Sequence, residues 1–157
     1  MSYYSLFIFS LYLLTCLIAY FNKFVNNKFF LDFLSFTVAF VAFLFAAFRP
    51  YYFPDVDSYE VIFEFSKNVD IFSPVFFASH GEPGFKLLNF WFARLGFSYD
   101  DFLLFISLFS LFLLVLISYL SKINFSYIWF VYFSFFFIVK DFGVIRVALA
   151  SHFIILF

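Results

Sequence analysis

Two arginines and three carboxylates are the side chains in this sequence best suited to chemistry. Arg49 and Arg146 each stand at the edge of a long apolar run, and Asp55, Asp57 and Glu82 follow Arg49 in the polar stretch from Phe48 to Phe85. A guanidinium stays charged in proteins, and its planar fork pairs bidentately with phosphate oxygens. A carboxylate can take the proton of an attacking hydroxyl. Bland roles compete with these: either arginine could pair with a loop carboxylate or extend to lipid headgroups, and Asp57 could cap a helix. Arg146 opens an apolar run through Val147-Ala148-Leu149-Ala150, a costly place for a cation without a partner. Asp55-Val56-Asp57 has the spacing of a two-carboxylate clamp for a divalent ion, a pattern also common in any acidic loop. His80, beside Gly81, reads as a base near neutral pH or as an exposed turn histidine.

The elements that must position these groups are membrane helices. The chain of 157 residues is 66% hydrophobic and only 12% charged, with a mean hydropathy of +1.05, whereas soluble domains carry about 25% charged residues. This composition specifies an integral membrane protein. A net charge of -1 supplies no basic footprint and so argues against a nucleic-acid partner. Cys16, the single cysteine, has no partner for an intramolecular bridge and reads as a packing residue.

Residues 3–21 form an uncharged run long enough to cross a hydrocarbon core of about 30 Å, and they lack the basic start and small-residue cleavage site of a signal peptide. A second span is predicted over 29–48, with Asp32 in its first turn, where a carboxylate suits the helix dipole. A third covers 102–120, introduced by a capping box of Ser98 and Asp101. After a tight turn at Ser121-Lys122-Ile123-Asn124, a short fourth is predicted over 125–139. From Val144 the sequence is apolar again to Phe157, and it reads as ending inside a fifth span. The whole is a single membrane domain, residues 1–157, with an outer loop over 49–101.

Within that loop, Tyr59, Ile62 and Phe63 share one helical face and Glu60, Glu64 and Lys67 another. This predicts an amphipathic helix over 58–67, capped by Asp57 or Ser58. Pro83 starts a second helix that ends at Gly96, with an apolar stripe of Phe85, Leu88, Phe92 and Leu95. At about a dozen residues, and carrying Lys86, Asn89 and Arg94, it is too short and polar to span, so it reads as re-entrant or interfacial. Lysines of short loops mark the cytoplasmic side. Lys23, Lys28 and Lys122 therefore place the N-terminus outside, with the acidic loop and the segment 140–146 on the outer face.

Arg49 leaving span two, Asp55 four residues before Tyr59, Glu82-Pro83-Gly84-Phe85 leading into Leu87-Leu88-Asn89, and Gly143-Val144-Ile145-Arg146-Val147-Ala148-Leu149-Ala150 occur in an order that resembles the EpsG family of Wzy-like exopolysaccharide and O-antigen polymerases. The likeness runs from Phe45 to the end. Phe53 stands where relatives often have glycine, and Val147 where glutamine is common; the relatives are longer, so the likeness is to their N-terminal part. The resemblance implies an all-α, polytopic, GT-C-like architecture in the bacterial inner membrane. It implies glycosyl transfer at the outer face between undecaprenyl-pyrophosphate-linked oligosaccharides, with no metal or other cofactor. The lipid bilayer and other polysaccharide assembly proteins are the implied partners. On this reading Arg49 and Arg146 hold the pyrophosphate, one of Asp55, Asp57 and Glu82 is the base, and the Tyr59 hydroxyl offers a sugar contact beside its packing role. A non-catalytic component of polysaccharide assembly or export, or an inactive remnant of the polymerase, is the alternative from a different class.

Overall fold

A computed structural model describes residues 3–25, 27–48, 56–69, 73 and 83–137. All regular structure among them is helical: α1 (Tyr3–Phe21), α2 (Lys28–Ala47), α3 (Val56–Asn68), α4 (Pro83–Arg94), α5 (Tyr99–Ser121) and α6 (Phe125–Tyr132), the last running on into a π-helical turn over Phe133–Phe137. Three of these, α1, α2 and α5, are long and apolar enough to cross a membrane. The protein is an all-α polytopic membrane protein, as the composition specified.

Ring contacts fix the helix directions. Tyr4 and Phe7, at the start of α1, lie 5.2 and 4.5 Å from Phe45, near the end of α2, so the two helices are antiparallel. Phe36 meets Phe125 at 6.2 Å and Phe43 meets Phe137 at 5.2 Å, so α2 and α6 run in the same direction. A turn of Lys122, Ile123 and Asn124 reverses the chain between α5 and α6, with Lys122 left-handed at φ 57° and Ser118 Oγ donating to the Ile123 carbonyl at 2.7 Å. The bundle is therefore up-down-up-down, and its two ends differ. One carries the exposed Lys23, Lys28 and Lys122; the other carries the start of α1, the end of α2, the start of α5 and the end of α6. These are called the lysine end and the platform end below.

Residues buried on α1, α2, α5 and α6 form one core, with Ala39, Ala42, Phe43, Leu114, Trp129 and Phe133 at its centre. Small residues on α2 let the backbones approach, which is how helices associate where lipid offers no hydrophobic drive. Polar contacts lock the lysine end. Asn124 precedes α6 without a side-chain cap; instead Asp32 Oδ1, from α2, accepts from the Ser126 N–H at 3.0 Å. Because α2 begins at Lys28, Asp32 falls in its second turn and serves the N-terminus of a neighbouring helix rather than that of its own, a correction to the expectation above. Asn22 Nδ2 donates to Ser126 Oγ, tying α1 to the same point. The fourth predicted span is α-helical only to Tyr132 and then widens into the π turn.

The second core belongs to the platform end. Tyr59 and Phe63 of α3, Phe85 and Ala93 of α4, and Tyr99, Phe102, Leu103 and Ile106 of α5 are buried together. At 23 residues, α5 is about 35 Å long, and it serves both cores: its first two turns hold α3 and α4, and the rest belongs to the bundle. Its start is fixed by the predicted capping box, Asp101 N–H to Ser98 Oγ at 3.2 Å and Ser98 N–H to Asp101 Oδ2 at 2.9 Å.

Candidate functional site

The loop helices sit on the platform end, because α2 delivers the chain there and α5 departs from there. Phe102 is the hub. Its ring lies 5.5 Å from Phe63, 5.7 Å from Phe85 and 5.4 Å from Phe92, and aromatic pairs of this kind are worth about 0.5–1.5 kcal/mol each beyond their buried area. Phe92 meets Phe102 and Phe105, but Phe85, two turns back along α4, meets Phe102 again and not a residue two turns further along α5, so α4 crosses α5 instead of running antiparallel along it. A Schellman motif makes the corner between them. Gly96 N–H bonds to the Ala93 carbonyl at 3.3 Å, Phe97 N–H to the Phe92 carbonyl at 3.2 Å, and the rings of Phe92 and Phe97 pack 5.4 Å apart. Gly96 has φ 84°, a left-handed conformation that a side chain would strain.

Of the candidate site residues, Asp57 and Tyr59 are described; Arg49, Asp55, Glu82 and Arg146 lie outside the described residues, as do His80 and the proposed fifth span. Asp57 is exposed in the first turn of α3. The helix begins at Val56, two residues earlier than a cap at Asp57 would allow, so neither Asp57 nor Ser58 is the cap; both are helical. Tyr59 is buried, its ring set edge-on to Phe85 at 5.4 Å. The expected division of α3 holds: Tyr59, Ile62 and Phe63 face the platform core, while Glu64 is outward and paired with Lys67. Asp57, Glu60 and Glu64 line an open groove of about 560 Å³ with Val61, Phe65 and Asn68. With Glu64 held by Lys67, Asp57 and Glu60 are the carboxylates of α3 open to a ligand among the described residues. They can accept hydroxyl protons or hydrogen bonds, and Asp57 is the described half of the Asp-Val-Asp pair that could hold a divalent cation.

Three of the four residues of the predicted apolar stripe face the platform core: Phe85 is buried, and Leu88 and Phe92 pack against the same cluster. Leu95 lies past the helix end and is 67% exposed, whereas Lys86 and Asn89 are 7% and 0% exposed and pack with Phe85 and Ala93. Asn89 Nδ2 donates to the Phe85 carbonyl at 2.7 Å. That bond fixes the amide's orientation, since the reversed amide would set oxygen against oxygen, and it leaves Oδ1 buried without a hydrogen-bond partner among the described residues. Sequence reasoning assigned these two residues no place in the site. The available signal was their three-residue spacing, which puts both on one helical face opposite Leu87 and Trp91.

Phe48 precedes Arg49 and closes α2 at the platform end. Phe137, the last described residue, ends the π turn of α6 at the same end. The points from which the chain departs toward the two arginines are thus on the side of the bundle that carries Asp57. The chain matches the EpsG family over residues 32–157. It belongs to the EpsG family. The match takes in α2 from Asp32 onward, α3 through α6 and every candidate site residue. No curated protein and no solved structure matches the chain.

Proposed function

We propose that this EpsG-family protein acts in polysaccharide polymerisation, as a glycosyltransferase that joins lipid-pyrophosphate-linked oligosaccharide repeats at the outer face of the bacterial inner membrane. The observation that carries this reading is membership of the EpsG family across residues 32–157. In the proposed reaction a hydroxyl of the acceptor sugar attacks the anomeric carbon of the donor and gives its proton to a carboxylate among Asp55, Asp57 and Glu82. The bond from the anomeric carbon to the pyrophosphate oxygen breaks. Arg49 and Arg146 stabilise the charge that builds on the departing lipid pyrophosphate. The buried Tyr59 ring fixes the helix that carries Asp57 and leaves the groove to the carboxylates. The bilayer presents the lipid-linked substrate, and other polysaccharide assembly proteins complete the system. The position of Asp57, exposed on the platform end, supports an aqueous site there.

Deleting the gene in its native host tests the reading. A lost polymerase leaves surface glycan as single repeats, because export continues without chain growth; this is the expected result on a glycan gel. Complete loss of surface glycan would assign the protein to export, and an unchanged polymer ladder would remove it from the process.

The orientation proposed puts the lysine end in the cytoplasm. In a Cys16→Ala background, a membrane-impermeant thiol reagent added to intact cells should label Asp57→Cys and spare Lys122→Cys until the membrane is opened. Equal labelling of both from outside refutes this orientation.

A further inference from the structure

The helix α4 is apolar on both of its sides. Its protein-facing side carries Phe85, Leu88, Phe92 and Ala93, with Lys86 and Asn89 buried among them. Its outward side carries Leu87, Trp91 and, just past the helix end, Leu95, which are 40%, 58% and 67% exposed. Leaving this stripe in water is unfavourable, since its apolar surface stays hydrated. The arrangement becomes favourable when the outward side meets hydrocarbon. Membrane helices turn apolar residues to lipid and polar ones to the protein interior.

Continuity with a spanning helix identifies the occupant. Phe92 packs 4.7 Å from Phe105 of α5, and Phe105 begins the exposed row Phe105, Leu108, Phe112 and Val115 on that helix, which is long and apolar enough to cross the bilayer. The outward stripe of α4 therefore extends the lipid-facing surface of α5 sideways at the depth of its first two turns. The crossing at Phe102 lays α4 across the direction of α5, and both α3 and α4 belong to the platform end, so α4 does not traverse. Arg94 closes the helix stacked on Phe90 at 5.3 Å and donates to the Val69 carbonyl at 3.4 Å. Its charge thus sits at the corner where the chain turns into α5, suited to headgroup level, as Trp and Arg are at membrane interfaces.

We propose that α4 is an in-plane membrane helix whose Leu87, Trp91 and Leu95 lie among the acyl chains of the platform-side leaflet, with Lys86 and Asn89 facing the protein. Immersion of about 5–10 Å is usual for such helices, and it would hold the acidic groove of α3 at the membrane surface, whatever reaction occurs there. The inference does not depend on the polymerase reading.

The chain has two tryptophans, Trp91 and Trp129, which makes the test direct. The Trp129→Phe protein is reconstituted into phosphatidylcholine vesicles brominated near the headgroup or near the chain ends. Blue-shifted Trp91 emission, mostly lost with the shallow bromines and less with the deep ones, is expected. Red-shifted, unquenched emission would place the stripe in water. Blue-shifted emission that neither lipid quenches would mean that polypeptide, a second copy or another protein, covers it. Both outcomes overturn the proposal. As a measurement that leaves Trp129 in place, a nitroxide on Leu95→Cys in the Cys16→Ala protein should collide with oxygen far more than with a water-soluble nickel chelate. A nitroxide on Glu64→Cys should show the opposite preference. Chelate-dominated collisions at position 95 would likewise overturn it.

Discussion

Alanine at Arg49 or at Arg146 is expected to stop chain growth, leaving surface glycan at a single repeat while the protein is still made and inserted. Removing one group that stabilises transition-state charge commonly costs about a hundred- to a thousandfold in rate, and an elongation slowed that much yields no ladder. Lysine at either position keeps the charge but loses the planar fork, so partial polymer, shorter than wild type, is expected. That graded series separates a pyrophosphate clamp from a structural role: an arginine that only tied down a loop carboxylate would be replaced by lysine with little loss. Wild-type polymer from both alanine variants would sink the clamp. The lysine end supplies the control. Lys23→Ala and Lys122→Ala change exposed cations on the opposite side of the bundle and should leave the glycan ladder unaltered.

What sequence could and could not specify follows the range of the interactions. Span one was legible to the residue, because a charge-free run with polar flanks is a local signal. The capping box was legible for the same reason, since both of its hydrogen bonds close over three residues. The division of α3 into a Tyr59–Phe63 face and a carboxylate face came from helical spacing alone. Most of the face of α4 came the same way, through Phe85, Leu88 and Phe92. Leu95 does not follow them, because the helix ends at Arg94 and the chain turns at Gly96, and the burial of Lys86 and Asn89 beside them is set by packing that spacing does not carry. Asp32 was likewise read as serving its own helix because the relevant partner, Ser126, is distant in sequence. The Asn22–Ser126 hydrogen bond at the lysine end is equally non-local. At the candidate site, the order of motifs carried the family reading, and the shared end of Phe48, Asp57 and Phe137 came from the helix directions.

The bundle core makes a prediction of comparable size about stability. Trp129 is fully buried, with the rings of Phe43, Phe133 and Phe137 at 5.9, 5.0 and 5.5 Å and its Nε1–H donating to Thr15 Oγ1 at 3.1 Å. Trp129→Ala is expected to cost roughly 3 kcal/mol, the low end of the range for such truncations. The low end applies because separated helices in a bilayer stay in an apolar medium, so the loss is chiefly of packing and not of transfer from water. The hydrogen bond predicts an asymmetry between two milder variants. Thr15 Oγ1 also donates to the Leu11 carbonyl at 2.8 Å, so Trp129→Phe leaves the threonine satisfied within its own helix. Thr15→Val, by contrast, leaves the buried indole N–H with nothing to bond, a penalty of about 1–3 kcal/mol. Although valine nearly preserves volume and phenylalanine does not, Thr15→Val should lower the unfolding midpoint in detergent by as much as Trp129→Phe or more. If instead Thr15→Val is neutral and Trp129→Phe costly, α1 is held to α6 by shape alone, and the polar lock is confined to Asn22, Ser126 and Asp32 at the lysine end.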